Sequence, residues 1–259
     1  MLVNDRVAVV TGGASGLGEA AVRRLVADGA RGVVIMDLAQ DKADVLAAEL
    51  GDVVEVSRTD ISNTLDVSAA ISSGIERFGR IDVLVNCAGI AIAQRTLDRE
   101  GNPADLDAYA KVIAVNLVGS FDVVRQVAAA MSANEPNEEG ERGVIVMTAS
   151  VAAFDGQIGQ VAYSASKAGL VGMTLPLARD LAPAGIRVMT IAPGLLDTPI
   201  YDFAPPELKE MLAKIPLFPK RLGRPAEFAH LVATIIENAY LNGEVIRLDA
   251  GIRLPPSAR

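Results

Sequence analysis

Arg6-Val7-Ala8-Val9-Val10-Thr11-Gly12-Gly13-Ala14-Ser15-Gly16-Leu17-Gly18 is the stretch that decides the fold. Arg6 to Val10 is a short apolar run with β-branched residues, which reads as a buried strand of a parallel sheet. A glycine-rich turn follows at once, and Glu19 to Asp28 then reads as a helix. Strand, glycine turn, helix is the context a phosphate-binding loop requires. Glycines let the backbone turn tightly and approach a pyrophosphate, and the helix N-terminus supplies N–H groups and a favourable dipole. The spacing is Gly-x-x-x-Gly-x-Gly, not the commoner Gly-x-Gly-x-x-Gly. Gly12, Ser15, Gly16, Leu17 and Gly18 are the candidate contacts of this turn, and nucleotide binding is favoured over a plain loop.

Working outward, the next strand, Gly32 to Met36, ends in Asp37, nineteen positions past Gly18. That is close to the ~20 expected for an acid that grips an adenosine ribose. A carboxylate there accepts from the ribose hydroxyls and repels a 2′-phosphate, so it selects NAD over NADP. Asp41 to Leu50 reads as a helix stopped by Gly51, and Val53 to Ser57 as a third strand. Asp60-Ile61 falls where adenine contacts belong, and Ser62 is the expected cap of a helix running to about Phe78. A fourth strand, Ile81 to Val85, ends in Asn86-Cys87-Ala88-Gly89, small residues that let a cofactor ribose lie against backbone. Cys87 reads as a buried small residue without a basic neighbour, hence not a reactive thiol.

Arg95 to Asp107 reads as an excursion loop, and a long helix is expected over Leu106 to Ser132. It carries Asn116 in an apolar setting, so that side chain needs a defined hydrogen-bond role. Asn134 to Arg142 reads as solvated surface, and a fifth strand, Gly143 to Thr148, delivers Ser150 at its C-terminal end. The helix expected over Val161 to Ala182 opens with Tyr163-Ser164-Ala165-Ser166-Lys167 and holds Pro176, which predicts a kink or a missing backbone bond. A sixth strand, Ile186 to Ala192, turns out through Pro193-Gly194-Leu195-Leu196-Asp197-Thr198-Pro199. Tyr201 to Arg224 is proline-rich with one helix near Pro206 to Lys214. Its Phe203, Met211, Leu212, Ile215, Leu217 and Phe218 suit a lid over a substrate as well as a packed excursion. Ala226 to Asn238 and Glu244 to Leu248 complete the pattern as helix and strand; His230 on that helix reads as structural.

Tyr163 and Lys167 are four apart and share one helix face. An ammonium beside a phenol favours the phenolate, which makes Tyr163 a candidate general acid or base. Ser150 can hold a substrate oxygen.

Composition bounds the rest. At 259 residues the chain fits one α/β domain over residues 1–259. The expected architecture is a Rossmann-type doubly wound α/β fold: a seven-stranded, mostly parallel sheet with helices on both faces. A net charge of −8 and the absence of Trp argue against nucleic acid as a partner. No unbroken apolar run approaches the ~20 residues of a membrane span, and the first residues enter a strand directly. One cysteine excludes an intrachain disulfide and suits a reducing compartment. No metal-ligand cluster is visible.

The glycine turn, Asn86-x-Ala88-Gly89, Ser150 with Tyr163-x-x-x-Lys167, and Pro193-Gly194 together resemble the short-chain dehydrogenase/reductase family over essentially the whole chain. Within it, Ser150-Val151-Ala152-Ala153-Phe154, Gly172-Met173-Thr174-Leu175-Pro176 and Leu241-Asn242-Gly243-Glu244-Val245 resemble the type-2 3-hydroxyacyl-CoA dehydrogenases, also described as 17β-hydroxysteroid dehydrogenase type 10. The resemblance implies an NAD-dependent oxidoreductase with an acyl-CoA substrate. Tyr163 would exchange the proton, Lys167 lower its pKa and bind the nicotinamide ribose, Ser150 orient the substrate oxygen, and Asn116 hold a relay water. Pro193, Leu196 and Thr198 would contact the cofactor, with residues 195–224 covering the substrate, and the assembly would be a homotetramer. Two departures stand out: a shorter N-terminus than the mitochondrial members, which points to a cytoplasmic enzyme, and Leu196-Asp197 in place of an aromatic and a glycine. Lys209, Lys214, Lys220 and Arg221 are the candidate cations for CoA phosphates. A steroid or other secondary-alcohol substrate, or a non-catalytic NAD-binding scaffold, are the alternatives.

Overall fold

The five inner strands form because each is apolar on both faces, whereas the two edge strands carry polar residues and are only partly buried. The computed structural model describes residues 1–199 and 206–257. It builds β1 (Val7–Thr11), α1 (Gly16–Ala27), β2 (Gly32–Asp37), α2 (Gln40–Leu50), β3 (Val54–Arg58), α3 (Thr64–Phe78) and β4 (Val83–Asn86). The chain continues through α4 (Leu106–Ile113), α5 (Ser120–Ser132), β5 (Gly143–Thr148), α6 (Val161–Leu181), β6 (Ile186–Pro193), α7 (Pro206–Ala213), α8 (Pro225–Glu237) and β7 (Val245–Leu248). The strands make one seven-stranded sheet in the order β3-β2-β1-β4-β5-β6-β7. Every pair is parallel, where the sequence implied a mostly parallel sheet.

Alternate residues of the five inner strands feed two cores. Ala8, Val10, Val33, Ile35, Val83 and Val85 face one layer with Leu25 of α1, Leu46 of α2 and Phe228 of α8. Val9, Val34, Met36, Leu84 and Ile145 face the other with Ile71 of α3, Val127 of α5 and Leu170 of α6. Burial on both faces explains why these strands read as continuous apolar runs and not as alternating ones. The order reverses at β1: after β3 the chain crosses back to pair β4 on the other side of β1. A crevice opens at the carboxyl ends of strands at such a point, and Thr11 and Asn86 stand paired there.

Four expectations are corrected. The helix over Leu106 to Ser132 is interrupted: Ala114–Gly119 is a π-helical segment. A Cβ on Gly119 would lie 2.7 Å from the Ile61 carbonyl, so the element passes that backbone too closely for a side chain. The run Leu106–Ser132 is long and apolar enough to cross a membrane by length and composition, with half of its apolar window buried in this protein. Asn63, not Ser62, caps α3, its Oδ1 accepting from Leu65 N at 3.0 Å, because the Ser62 hydroxyl and amide are both bonded to Asp60. The loop 134–142 is not all solvated surface. Glu141 is buried and ion-paired at 2.7 Å with Arg187, whose guanidinium caps the C-terminal carbonyls of α8. Fourth, Lys209 and Arg221 are held by acids, at 3.6 Å to Asp197 and by a two-point bond to Glu227, which weakens the case for a four-cation phosphate cluster. Of the expected lid, Tyr201 and Phe203 lie outside the described residues. His230 sits 3.4 Å from Arg24, where α8 meets α1.

Candidate active site

The glycine turn lies at the carboxyl end of β1. Gly12 and Gly16 hold φ of 65° and 56°, the left-handed region that glycine alone enters without strain. A Cβ on Gly18 would stand 2.1 Å from the Gly12 carbonyl, so the first turn of α1 folds onto the loop with no room for a side chain. Ser15 occupies the N-cap position of α1 in an extended conformation and makes no side-chain cap bond, and Leu17 packs partly buried against the core. A Cβ on Gly16 would be 3.6 Å from Thr198 Cβ, so the Pro193–Pro199 turn closes over the loop from the far side. This backbone cradle, facing a helix N-terminus, fits a dinucleotide pyrophosphate.

Asp37 stands at the end of β2. Its carboxylate accepts from Ala14 N at 3.0 Å and Ala39 N at 2.9 Å, one bond to each oxygen. Both oxygens retain acceptor capacity for ribose hydroxyls. Asp60, next to buried Ile61, is bonded to the Ser62 hydroxyl and amide, and those bonds hold its carboxyl below the usual range. At the end of β4, buried Asn86 accepts from the Thr11 hydroxyl at 2.6 Å, and that hydroxyl accepts from Ala88 N at 3.0 Å. Asn86 Nδ2 is buried without a partner, a donor left over at the crevice.

The reacting groups come from the other side. Ser150 caps a short 3₁₀ turn, Val151–Ala153, its hydroxyl accepting from Ala152 N at 3.1 Å. Tyr163 and Lys167 project from the first turns of α6, with Lys167 Nζ 5.8 Å from the Tyr163 ring centre. Lys167 is buried and donates to the Thr148 carbonyl at 2.8 Å. Burial pulls its ammonium down to about 8. The sequence reading expected Lys167 to depress the Tyr163 phenol. Instead burial pushes the phenol above its ordinary value, and only the hydrogen bond to Ser150 opposes that. A cation at this distance and itself desolvated does not overcome the phenol's own desolvation. At neutral pH Tyr163 is therefore a protonated donor, the state needed to deliver a proton to a carbonyl.

Asn116 lies inside the π segment and is fully buried. Its Oδ1 accepts from Ile90 N at 2.8 Å, and its Nδ2 donates to Ile90 O at 2.8 Å and to the Ser166 hydroxyl at 3.1 Å. Both amide protons are thus engaged in joining the loop after β4 to α6. Gly89 lies between them: a Cβ there would be 3.2 Å from Asn116 Oδ1 and 3.5 Å from Lys167 Nζ. Cys87 contacts the Thr148 hydroxyl at 3.3 Å, and burial pushes its thiol up to about 11. Pro193 ends β6, and Leu196 is buried against Gly223.

The candidates from distant parts of the chain thus gather around one crevice. Sequence reasoning missed Thr11, Thr148 and Ser166. Ser166 links Asn116 to the catalytic helix by donating to the Tyr163 carbonyl at 2.8 Å. A hydroxyl inside an otherwise apolar strand end was the available signal for Thr11; Thr148 acts through its carbonyl, which no residue type reveals.

A family model described as short chain dehydrogenase matches residues 6–208. The chain is 54% identical over 255 residues to the Bos taurus 3-hydroxyacyl-CoA dehydrogenase type-2, covering 98% of this chain and 97% of that one. A crystal structure of 3-hydroxyacyl-CoA dehydrogenase type-2 from Mycobacterium avium is 49% identical, with a TM-score of 0.94 and 98% of both chains covered. The 3-ketoacyl-(acyl-carrier-protein) reductase of Brucella melitensis, solved with NADH, is 30% identical at a TM-score of 0.84, covering 97% of this chain and 100% of that one. By the family model, and by relatives that match nearly end to end, this chain belongs to the short-chain dehydrogenase family and is an oxidoreductase.

Proposed function

We propose that the chain interconverts a 3-hydroxyacyl-CoA and a 3-ketoacyl-CoA, with NAD as the hydride carrier. The observation that carries the chemistry is the half-buried Tyr163 phenol, held above its ordinary value by desolvation, one helix turn from buried Lys167, whose Nζ is anchored on the Thr148 carbonyl. The substrate class rests on the names of relatives near 54% identity over nearly the whole chain.

The glycine turn and the N-terminus of α1 hold the pyrophosphate, and Asp37 holds the adenosine ribose and disfavours a 2′-phosphate. Asp60 and Ile61 flank the adenine; Asn86, Cys87, Ala88 and Gly89 line the path to the nicotinamide, closed by Pro193, Leu196 and Thr198. The bound nicotinamide supplies or accepts the hydride. Ser150 holds the substrate oxygen, Tyr163 delivers its proton to that oxygen in reduction and takes it back in oxidation, and Lys167 holds the nicotinamide ribose. Asn116 keeps the wall of the proton path in place and offers its remaining acceptor capacity to a water. Residues 195–224 cover the acyl chain and exclude water.

The protein works as a cytoplasmic homotetramer in this reading. Exposed Val118 and Phe121 before and in α5, and exposed Leu175 on α6, supply apolar surface for contact between copies.

The test is oxidation of NADH and of NADPH by the purified protein with acetoacetyl-CoA and a panel of steroid and small ketones. Turnover of acetoacetyl-CoA with NADH, and much poorer use of NADPH, is expected. Steroid turnover without acetoacetyl-CoA turnover would replace this reading by the hydroxysteroid one.

A further inference from the structure

The connection that carries Ser150 into α6 is clamped from outside by the last strand and the segment after it. The chain leaves β5, places Ser150, makes its 3₁₀ turn and runs through Phe154 to Gln160 before Tyr163. Arg247 of β7 reaches this connection. Its Nη2 donates to Asp155 Oδ2 at 2.6 Å and to the Ile252 carbonyl at 2.8 Å, while its Nε donates to Asp249 Oδ2 at 2.7 Å. The guanidinium also stacks on the Phe154 ring, 5.2 Å from its centre. Two more bonds run alongside: Ile158 N donates to the Pro256 carbonyl at 2.9 Å, and Gln157 Nε2 to the Pro255 carbonyl at 3.0 Å.

This is more than core filling. Phe154 is about half exposed, so the stack buries little apolar area, whereas the guanidinium and both carboxylates are four-fifths or more buried. A desolvated cation between two carboxylates fixes orientation through several directed bonds at once. What it orients is the four-residue link between Asp155 and Ser150 on one side and the start of α6 on the other.

We propose that Arg247 is a positioning residue for the reaction: through Asp155 and Phe154 it sets where the Ser150 hydroxyl meets the substrate carbonyl. The segment 249–257 forms the outer half of the clamp. The inference rests on the reading of Ser150 as the holder of the substrate oxygen. Displacement of such a group by ~1 Å is enough to cost on the order of 10²-fold in rate. The strand order separates β7 from β1 by three strands, so Arg247 and Asp155, the two groups varied below, lie on the far side of the sheet from the phosphate loop and Asp37; of the clamp, Asp249 alone abuts the Pro193–Pro199 turn, at Gly194.

The experiment compares Arg247→Gln, Arg247→Lys, Asp155→Asn and the Arg247→Gln/Asp155→Asn double variant, using whichever ketone the unmodified protein reduces. Readouts are kcat and KM, the NADH dissociation constant, and amide hydrogen exchange over residues 150–160. Arg247→Gln and Asp155→Asn should each lower kcat by roughly tenfold or more, leave NADH affinity unchanged and speed exchange in that connection. Arg247→Lys should recover part of the rate, and the double variant should be no worse than the worse single one, because both remove the same link. Unchanged kcat, additive losses, or a parallel fall in kcat and NADH affinity would overturn the proposal. If Arg247→Gln does not fold, Asp155→Asn alone decides by the same criteria. Ser150→Ala, measured alongside, separates the two claims. Full activity there refutes the Ser150 reading and this inference with it; a collapse there with normal Arg247 variants refutes only the inference.

Discussion

The side of the crevice built on β1 to β4 and the side built on β5 to β7 do their work with different atoms. On the first, backbone and absent side chains dominate: Gly12 and Gly16 hold positive φ, Gly18 leaves room for the Gly12 carbonyl, and Gly89 leaves room for Asn116 and Lys167. On the second, three side chains with distinct chemistry converge, Ser150, Tyr163 and Lys167, each held by a different support. The contrast separates binding from reaction. A backbone cradle recognises a phosphate that does not change, whereas proton transfer needs groups whose ionisation is set by burial and hydrogen bonds.

The sharpest way to break that contrast is Tyr163→Phe. It deletes one hydroxyl from the reaction side and nothing from the cradle. Loss of a general acid of this kind costs on the order of 10²- to 10⁴-fold in kcat, with the NADH dissociation constant unchanged. Single-turnover reduction alongside NADH fluorescence titration checks both halves. A variant that turns over near normally would mean that another group delivers the proton; one that loses NADH binding in proportion would mean that the two sides are not separable.

The two sides were also unequally legible. Cradle geometry follows from glycine spacing after an apolar strand, because only glycine satisfies both the φ values and the close approach, so Gly12, Gly16, Gly18 and Asp37 could be placed from residue order alone. The parallel order of the sheet followed from runs that are apolar on both faces. On the reaction side the residue types were visible but their ionisation was not. A phenol near an ammonium suggested a lowered pKa, and desolvation reversed the sign. Supports that act through backbone carbonyls, such as Thr148 beneath Lys167, leave no mark in the sequence. The π segment was hidden as well, since Ala114–Gly119 carries the same apolar pattern as the helices around it. Glu141 was hidden by its neighbours: Glu138 and Glu139 are exposed as expected, and two cations distant in sequence, Arg187 and the Met1 ammonium, make the third acid a buried one.

A second, smaller effect sharpens the comparison from the cradle side. Asp37→Ala removes both the ribose acceptor and the charge that repels a 2′-phosphate. The ratio of kcat/KM for NADH over NADPH should fall by about tenfold or more, the scale of one or two charge-assisted hydrogen bonds at ~1.5–3 kcal/mol each. Saturating kcat with NADH should stay close to that of the unmodified protein. A preserved cofactor ratio would move the selection to another residue, and a collapse of kcat would show that Asp37 has a structural task through Ala14 and Ala39.

The smallest expected effect concerns the charge buried on the reaction side. Lys167 is pulled down to about 8 by burial in the folded protein, against about 10.4 for a free lysine. Between these values the unfolded chain binds a proton that the folded one has released, so stability rises with pH as the proton leaves. Below pH 8 both states carry the charge, and the folded state bears the full cost of keeping it out of water. Cys87, pushed up to about 11, acts in the opposite sense once pH exceeds the ordinary thiol range near 8.5–9, and Tyr163 does so above about 10. Lys167 changes most between pH 8 and 9, and because Cys87 begins to act in the same window, its contribution is removed by comparison with a variant that keeps the thiol. There the unliganded protein should gain about 1 kcal/mol relative to Lys167→Met, a little less than the ~1.4 kcal/mol per pH unit of a complete one-proton difference. Urea unfolding of both proteins at pH 7, 8 and 9 measures it. Equal pH slopes for the two would show that the ammonium is hydrated in the folded state. A slope of the opposite sign would mean that a carboxylate or phenolate partner, and not burial, sets its ionisation.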